Sequence, residues 1–228
     1  MSVEKMSLPD LLLDRAAGFI PVLLSLTVHE WAHAWTAWRL GDDTAKMMGR
    51  VSLNPLDHID PVGTLLLPLM GIPFGWAKPV PINPTRFRST ISMPMGVLLT
   101  VAAGPISNLL LAIAGSIALM LLSKFTRPEF ATGLDPRTNA AMVHFFQFLV
   151  IVNVQLACFN LLPIPPLDGS QIADALMPVA LQPLWNRFSA LGPALLVAVI
   201  LLPGLMGFSL LSWPIHWTSQ MLQWITSQ

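Results

Sequence analysis

The sequence predicts an all-α polytopic membrane protein with about four transmembrane helices, a short re-entrant helix and a small β element. Three observations lead there. Of the 228 residues 54% are hydrophobic and only 11% are charged, against about 25% charged in an average soluble domain. Mean hydropathy is +0.65. The apolar residues also gather into runs long enough to cross about 30 Å of hydrocarbon. A formal net charge of zero leaves no electrostatic footprint for nucleic acid. Cys158 is the only cysteine, which excludes an intrachain disulfide and a cysteine-based zinc site; a small buried apolar role suits it. The stretch Met1 to Leu13 lacks the basic region and cleavage site of a signal peptide. No repeat or low-complexity tract is visible. Residues 1–228 therefore read as a single membrane-embedded domain, with a core over 11–170 and a C-terminal span and tail over 190–228.

The first apolar segment runs from about Leu11 to Leu40 and is cleanest from Ala16 to Trp38; Pro21 is expected to kink it. Gly41-Asp42-Asp43 ends it. Met47 to Leu53 reads as a short strand, followed by a structured loop to Pro61. Val62 to Ile72 is apolar but too short to span upright, and suits a buried or re-entrant helix. Phe74 to Pro84 reads as a second extended piece, because Pro79, Pro81 and Pro84 exclude a helix. Met93 to Phe125 is a full span whose Gly96, Gly104 and Gly115 let neighbours approach, while Pro105 needs local repair. Ala140 to Leu162 is the third span and stops at Pro163. A fourth covers about Ala190 to Leu211. The tail, Trp213 to Gln228, carries Trp213, Trp217 and Trp224 and reads as an amphipathic helix lying in the interface. Lys46, Arg50, Lys78, Arg86 and Arg88 fall in the loop before the second span. The loop after it holds Arg127 and Arg137, with Lys124 at its edge. The positive-inside rule makes the former cytoplasmic, with the N-terminus outside.

Inside the first segment lies His29-Glu30-Trp31-Ala32-His33. Positions i and i+4 share a helix face, so the two imidazoles can grip one metal ion. Glu30 sits where it can take a proton from a metal-bound water. Two histidines make half a site, since a catalytic zinc commonly has three protein ligands and one open position. The third ligand must lie at the same depth, and the third span descends towards that face. Asp168, in Asn160-Leu161-Leu162-Pro163-Ile164-Pro165-Pro166-Leu167-Asp168-Gly169, is the candidate. The prolines break the helix and Gly169 permits a tight turn. Unwound backbone at membrane depth is tolerated only where protein or a water-filled cavity covers it. A carboxylate there needs a partner charge, which zinc supplies.

Together with Gly104-Pro105-Ile106-Ser107-Asn108 on the second span, these residues resemble the site-2 protease family of intramembrane zinc metalloproteases. Gly49 to Pro61 and Gly75 to Pro84 are similar to its small prokaryotic branch, and the resemblance covers most of Ala16 to Gly169. It implies a catalytic core of three helices holding one Zn2+ per chain. It implies hydrolysis of peptide bonds in transmembrane protein or peptide substrates, near the cytoplasmic face of the cell membrane, as in regulated intramembrane proteolysis. By position it implies His29, His33 and Asp168 as zinc ligands and Glu30 as general base. Asn160 would help hold the substrate or the transition-state oxygen. For Asn108 a substrate-side role stands beside plain bonding across helices, the reading that Asn153 also takes. Ser170 stands where the family commonly has a second glycine, and no PDZ-like insertion is present.

His58 is a further substrate-side candidate, as an extra ligand or a gate; a loop bond to Asp57 or Asp60 is the plainer expectation. His144 and His216 read as packing or interfacial residues. A substrate helix must unwind to expose its scissile carbonyl, and the extended pieces around Val51 and Val80 could then pair with it by β-addition. The rival reading is a non-catalytic zinc-binding membrane protein, either a metal carrier or an inactive relative of the protease. A carrier needs polar residues strung through the full depth of the bundle. Here they gather at one level.

Overall fold

The structure is a computed structural model that describes residues 8–66, 76–125, 135–206 and 212–227. Helix α1 is Leu8–Leu40, and one turn of α2 follows at Thr44–Met47. Two long helices come next, α3 at Met93–Phe125 and α4 at Pro136–Asn160. Then come α5 at Asp168–Leu176, α6 at Gln182–Ala190, α7 at Gly192–Met206 and α8 at Ser212–Ser227.

The apolar α3 is the centre of the bundle and packs against α1, α4, α5 and α8. Gly115 explains part of that closeness, because its bare Cα leaves room for Val150 of α4. Ala112, Leu119, Val150 and Leu222 form the buried cluster on this side. Leu222 and the buried Thr218 belong to α8, whose Trp217 and Trp224 face outward. The tail thus has one face docked on the bundle and an exposed aromatic face on the other side.

On α3 the stripe Ile106, Leu109, Leu110, Ile113 and Ile117 is exposed. An apolar surface of that extent is foreign to a monomer in water and suits lipid. Helices α3 and α4 are each long and apolar enough to cross a membrane. The chain is a membrane protein. The expected fourth span differs from its sequence reading: Val179–Ala190 and Gly192–Leu201 meet at 55° as a bent pair, a broken span or a re-entrant loop, which makes a third candidate if the two helices are one span. Residues 207–211, at the end of that expected span, lie outside the described residues. Among the described residues, α1 is not one of these candidates.

The expected β element is a correction. Among the described residues there is no strand. Met47 closes α2 instead, because the buried Asp42 accepts from Thr44 N at 3.0 Å and from the Thr44 hydroxyl at 2.5 Å, which starts a helical turn. Gly49 then turns the chain at φ +72°, a conformation that glycine adopts without strain. The stretch to Pro61 is a loop with a single 3₁₀ turn at Pro55–Asp57, capped by Asn54. Residues 76–83 are extended but unladdered, tied to the rest by Lys78 N to His58 O at 2.9 Å and by Asn83 N to Asp42 Oδ2 at 2.6 Å. Of the expected re-entrant helix, Pro61–Leu66 is a helical turn of the wide π type; residues 67–75 lie outside the described residues. The first helix continues through Pro21 without a break in its assignment.

Candidate metal centre

His29 and His33 lie one turn apart on α1, both buried, with their rings edge to face. Asp168 is the first residue of α5. It arrives there because α4 stops at Asn160 and the chain reverses through Leu162–Leu167. That turn is held by Ile164 N to Leu162 O at 2.8 Å and Leu167 N to Ile164 O at 2.9 Å. Gly169 is required beside it: a Cβ would collide with the backbone of Leu161 and Leu162. The three candidate ligands thus meet from both ends of the core.

Their ligating atoms form a tight triangle. His29 Nε2 and His33 Nε2 are 3.0 Å apart. Asp168 Oδ2 is 3.1 Å from the former and 3.4 Å from the latter. Tetrahedral zinc with bonds of about 2.0–2.1 Å sets its ligand atoms about 3.3 Å apart. The proton positions agree with that fit. His29 Nδ1 lies 2.6 Å from Asn108 Oδ1, and His33 Nδ1 lies 2.8 Å from Thr100 O. Both oxygens accept, so both Nδ1 atoms carry hydrogen and both Nε2 atoms of the neutral rings present lone pairs to one point. Two lone pairs and a carboxylate facing one another in a buried site call for a cation. Among the described residues this is the one cluster of three such side chains.

Helix α3 moulds the site. Gly104 lies against both imidazoles, and a Cβ there would stand 2.6 Å from His29 Cε1 and nearer still to His33. Glu30 is partly buried next to the first ligand. Arg50 is only 3% exposed. Its Nη2 donates to Lys78 O, while Nε and Nη1 have no hydrogen-bond partner among the described residues. Burial draws its pKa below the ordinary arginine value, against the opposing pull of Glu30 and Asp57.

The three expected substrate-side residues each have a partner within the protein. Asn108 is fully buried, with its amide committed to His29, Asn153 and Ser25. Both of its amide hydrogens are taken and its oxygen supports a ligand. His58 is 2% exposed and pairs through Nε2 with Ser52 O at 2.7 Å, rather than with Asp57 or Asp60. It holds its own loop closed and does not join the histidine pair. Asn160 is partly buried on the last turn of α4, and its Nδ2 donates back to Leu156 O at 3.0 Å. Thr100 was invisible in the sequence, because the group that serves the site is a backbone carbonyl.

A helical membrane protein with H-E-x-x-H closed by a distant aspartate has the site of a zinc metalloprotease. Comparison with known proteins agrees. The family model described as peptidase family M50 matches residues 129–203, which include Asp168. A protein of Bacillus subtilis (strain 168) named "Putative zinc metalloprotease YwhC" is 39% identical over 187 residues, 81% of this chain and 80% of its own. Two proteins named "Putative zinc metalloprotease Rip2" are also similar. The one from Mycolicibacterium smegmatis is 35% identical over 64% of this chain and 52% of its own length. The one from Mycobacterium tuberculosis (strain ATCC 25618 / H37Rv) is 35% identical over 79% and 62%. No solved structure matches the chain. The chain belongs to peptidase family M50.

Proposed function

We propose that this protein is a zinc endopeptidase that cleaves membrane-embedded protein substrates within the bilayer, near its cytoplasmic face. The observation that carries the proposal is the triangle of His29, His33 and Asp168 at 3.0–3.4 Å, with Glu30 adjacent, in a bundle whose α3 and α4 are apolar enough to span lipid. One ion per chain fits one such triangle. The excess of Lys and Arg before α3 supports a cytoplasmic site in a multi-pass cell-membrane protein.

Zinc, when bound, lowers the pKa of a coordinated water and polarises a carbonyl. The protein supplies the rest. His29, His33 and Asp168 would hold the ion, and Asn108 and the Thr100 carbonyl keep both histidines in the tautomer that can do so. Glu30 takes the proton from the attacking water and returns it to the leaving amine. Asn160 stands at the end of α4, where it can meet an unwound peptide. The segments around Val51 and Val80 offer that peptide an edge to pair with.

The test is cleavage of a transmembrane peptide by the purified protein in lipid vesicles. Glu30→Gln should lower the rate by about 10²–10⁴-fold, the usual worth of a general base, with zinc content unchanged. Full activity in that variant removes Glu30 from the mechanism. Zinc bound with no cleavage by the parent protein of any transmembrane substrate favours a non-catalytic zinc protein.

A further inference from the structure

We propose that Asn153, in the middle of α4, is a positioning residue for the zinc ligand His29, acting through Asn108. Four groups form a continuous buried chain. His29 Nδ1 donates to Asn108 Oδ1 at 2.6 Å. Asn108 Nδ2 donates to Asn153 Oδ1 at 2.7 Å. Asn153 Nδ2 donates to Ser25 Oγ at 2.7 Å and to Leu149 O at 2.8 Å. The Ser25 hydroxyl donates onward to Pro21 O at 2.6 Å. Ser25, Asn108 and Asn153 are all 0% exposed.

The direction of this chain is fixed from its far end. A backbone carbonyl can only accept, so the Asn153 atom facing Leu149 O must be the amide nitrogen. Its oxygen then faces Asn108, and the Asn108 atom meeting it must also be nitrogen. The Asn108 oxygen is left for His29, whose Nδ1 must therefore carry the hydrogen. That tautomer turns the Nε2 lone pair towards His33 and Asp168. Reversing either amide would set donor against donor or oxygen against oxygen among groups that are 0% exposed. The Leu149 carbonyl on α4, together with the Ser25 carbonyl that Asn108 Nδ2 also meets at 3.4 Å, thus selects the metal-binding form of a histidine on α1. The same helix delivers Asp168 through the turn at its C-terminal end, so two of the three ligands are positioned from α4.

The inference rests on His29, His33 and Asp168 holding zinc, and its test reads zinc affinity and tautomer rather than proteolysis. Purified full-length protein in lipid nanodiscs is titrated with Zn2+ against a chelator of known affinity. Asn153→Leu keeps the volume and removes the amide; it should weaken zinc about tenfold, the low end for partners behind a ligand. Ser25→Ala keeps the Leu149 anchor and should stay within about threefold of the parent. Equal affinity in Asn153→Leu and the parent overturns the proposal. So does an equal loss in Ser25→Ala, which would make the chain simple packing. A second measurement needs no variant at position 153. Nitrogen-15 spectra of the zinc-free parent protein, with His29 assigned by its substitution, should show Nδ1–H; the Nε2–H tautomer would overturn the proposal. Zinc refused altogether by the parent protein would instead remove the zinc reading itself.

Discussion

Gly104 of α3 lies directly beneath the imidazole of His33, with no room for a single carbon between them. The glycine is therefore part of the mould that sets the distance between the two histidines. Gly104→Ala should weaken zinc binding and lower proteolysis at least tenfold. Overpacking of this kind costs about 1–3 kcal/mol, so the variant should still fold. Zinc titration and thermal melting on the same sample separate the two effects.

Asp168→Asn keeps the shape of the third ligand and removes its charge. Stabilisation by a bound ion follows its concentration over Kd and reaches about 2.7 kcal/mol at a hundredfold excess. A chelator should therefore lower the melting temperature of the parent protein by several degrees. It should leave the melting temperature of Asp168→Asn unmoved. Adding zinc back should restore both activity and melting in the parent only.

Asp42 is the knot of the loop region, since it accepts from Thr44 and from Asn83 N. Asp42→Ala leaves those half-buried donors without their partner, at about 1 kcal/mol each, the net worth of an ordinary hydrogen bond. Residues 76–83 should come loose from the end of α1. Hydrogen exchange should rise there and stay low in α3 and α4.

Val51 N and Val80 N make no backbone hydrogen bond with the described residues. Proline at either position thus removes a donor that no described residue uses. If these edges pair with an unwound substrate, Val51→Pro and Val80→Pro should raise KM several-fold, with zinc affinity unchanged. Unaltered KM for a helical substrate would exclude β-addition at these edges.

Much of the site was legible because its residues are costly in lipid. A His-Glu-x-x-His run in an apolar segment and an aspartate behind three prolines stand out against their surroundings, and the spacing i, i+4 puts both imidazoles on one face whatever the tertiary fold. The spans 93–125 and 140–162 were readable for the converse reason: no charged residue interrupts them short of Lys124. What was not legible depends on how helices are rotated against one another. Asn108 and Asn153 announce a bond across helices, but the sequence does not say that one of them ends on His29. Thr100 serves through its backbone and leaves no trace in residue type. The misread strand at 47–53 turned on Asp42, which starts a helical turn in a stretch whose apolar residues alternate. His58 was expected to pair with a neighbouring aspartate, and instead reaches the carbonyl of Ser52 across the loop.

The antiparallel pairing of α1 and α3 has a last consequence. His29 is fastened at Asn108 and His33 at Thr100, anchor points about two helical turns apart on α3. No sliding or rolling of one helix on the other keeps both fastenings. The reagent is thereby confined to one relative placement of two rods, and a chain that seats them a single turn out of step would be folded yet chemically blank.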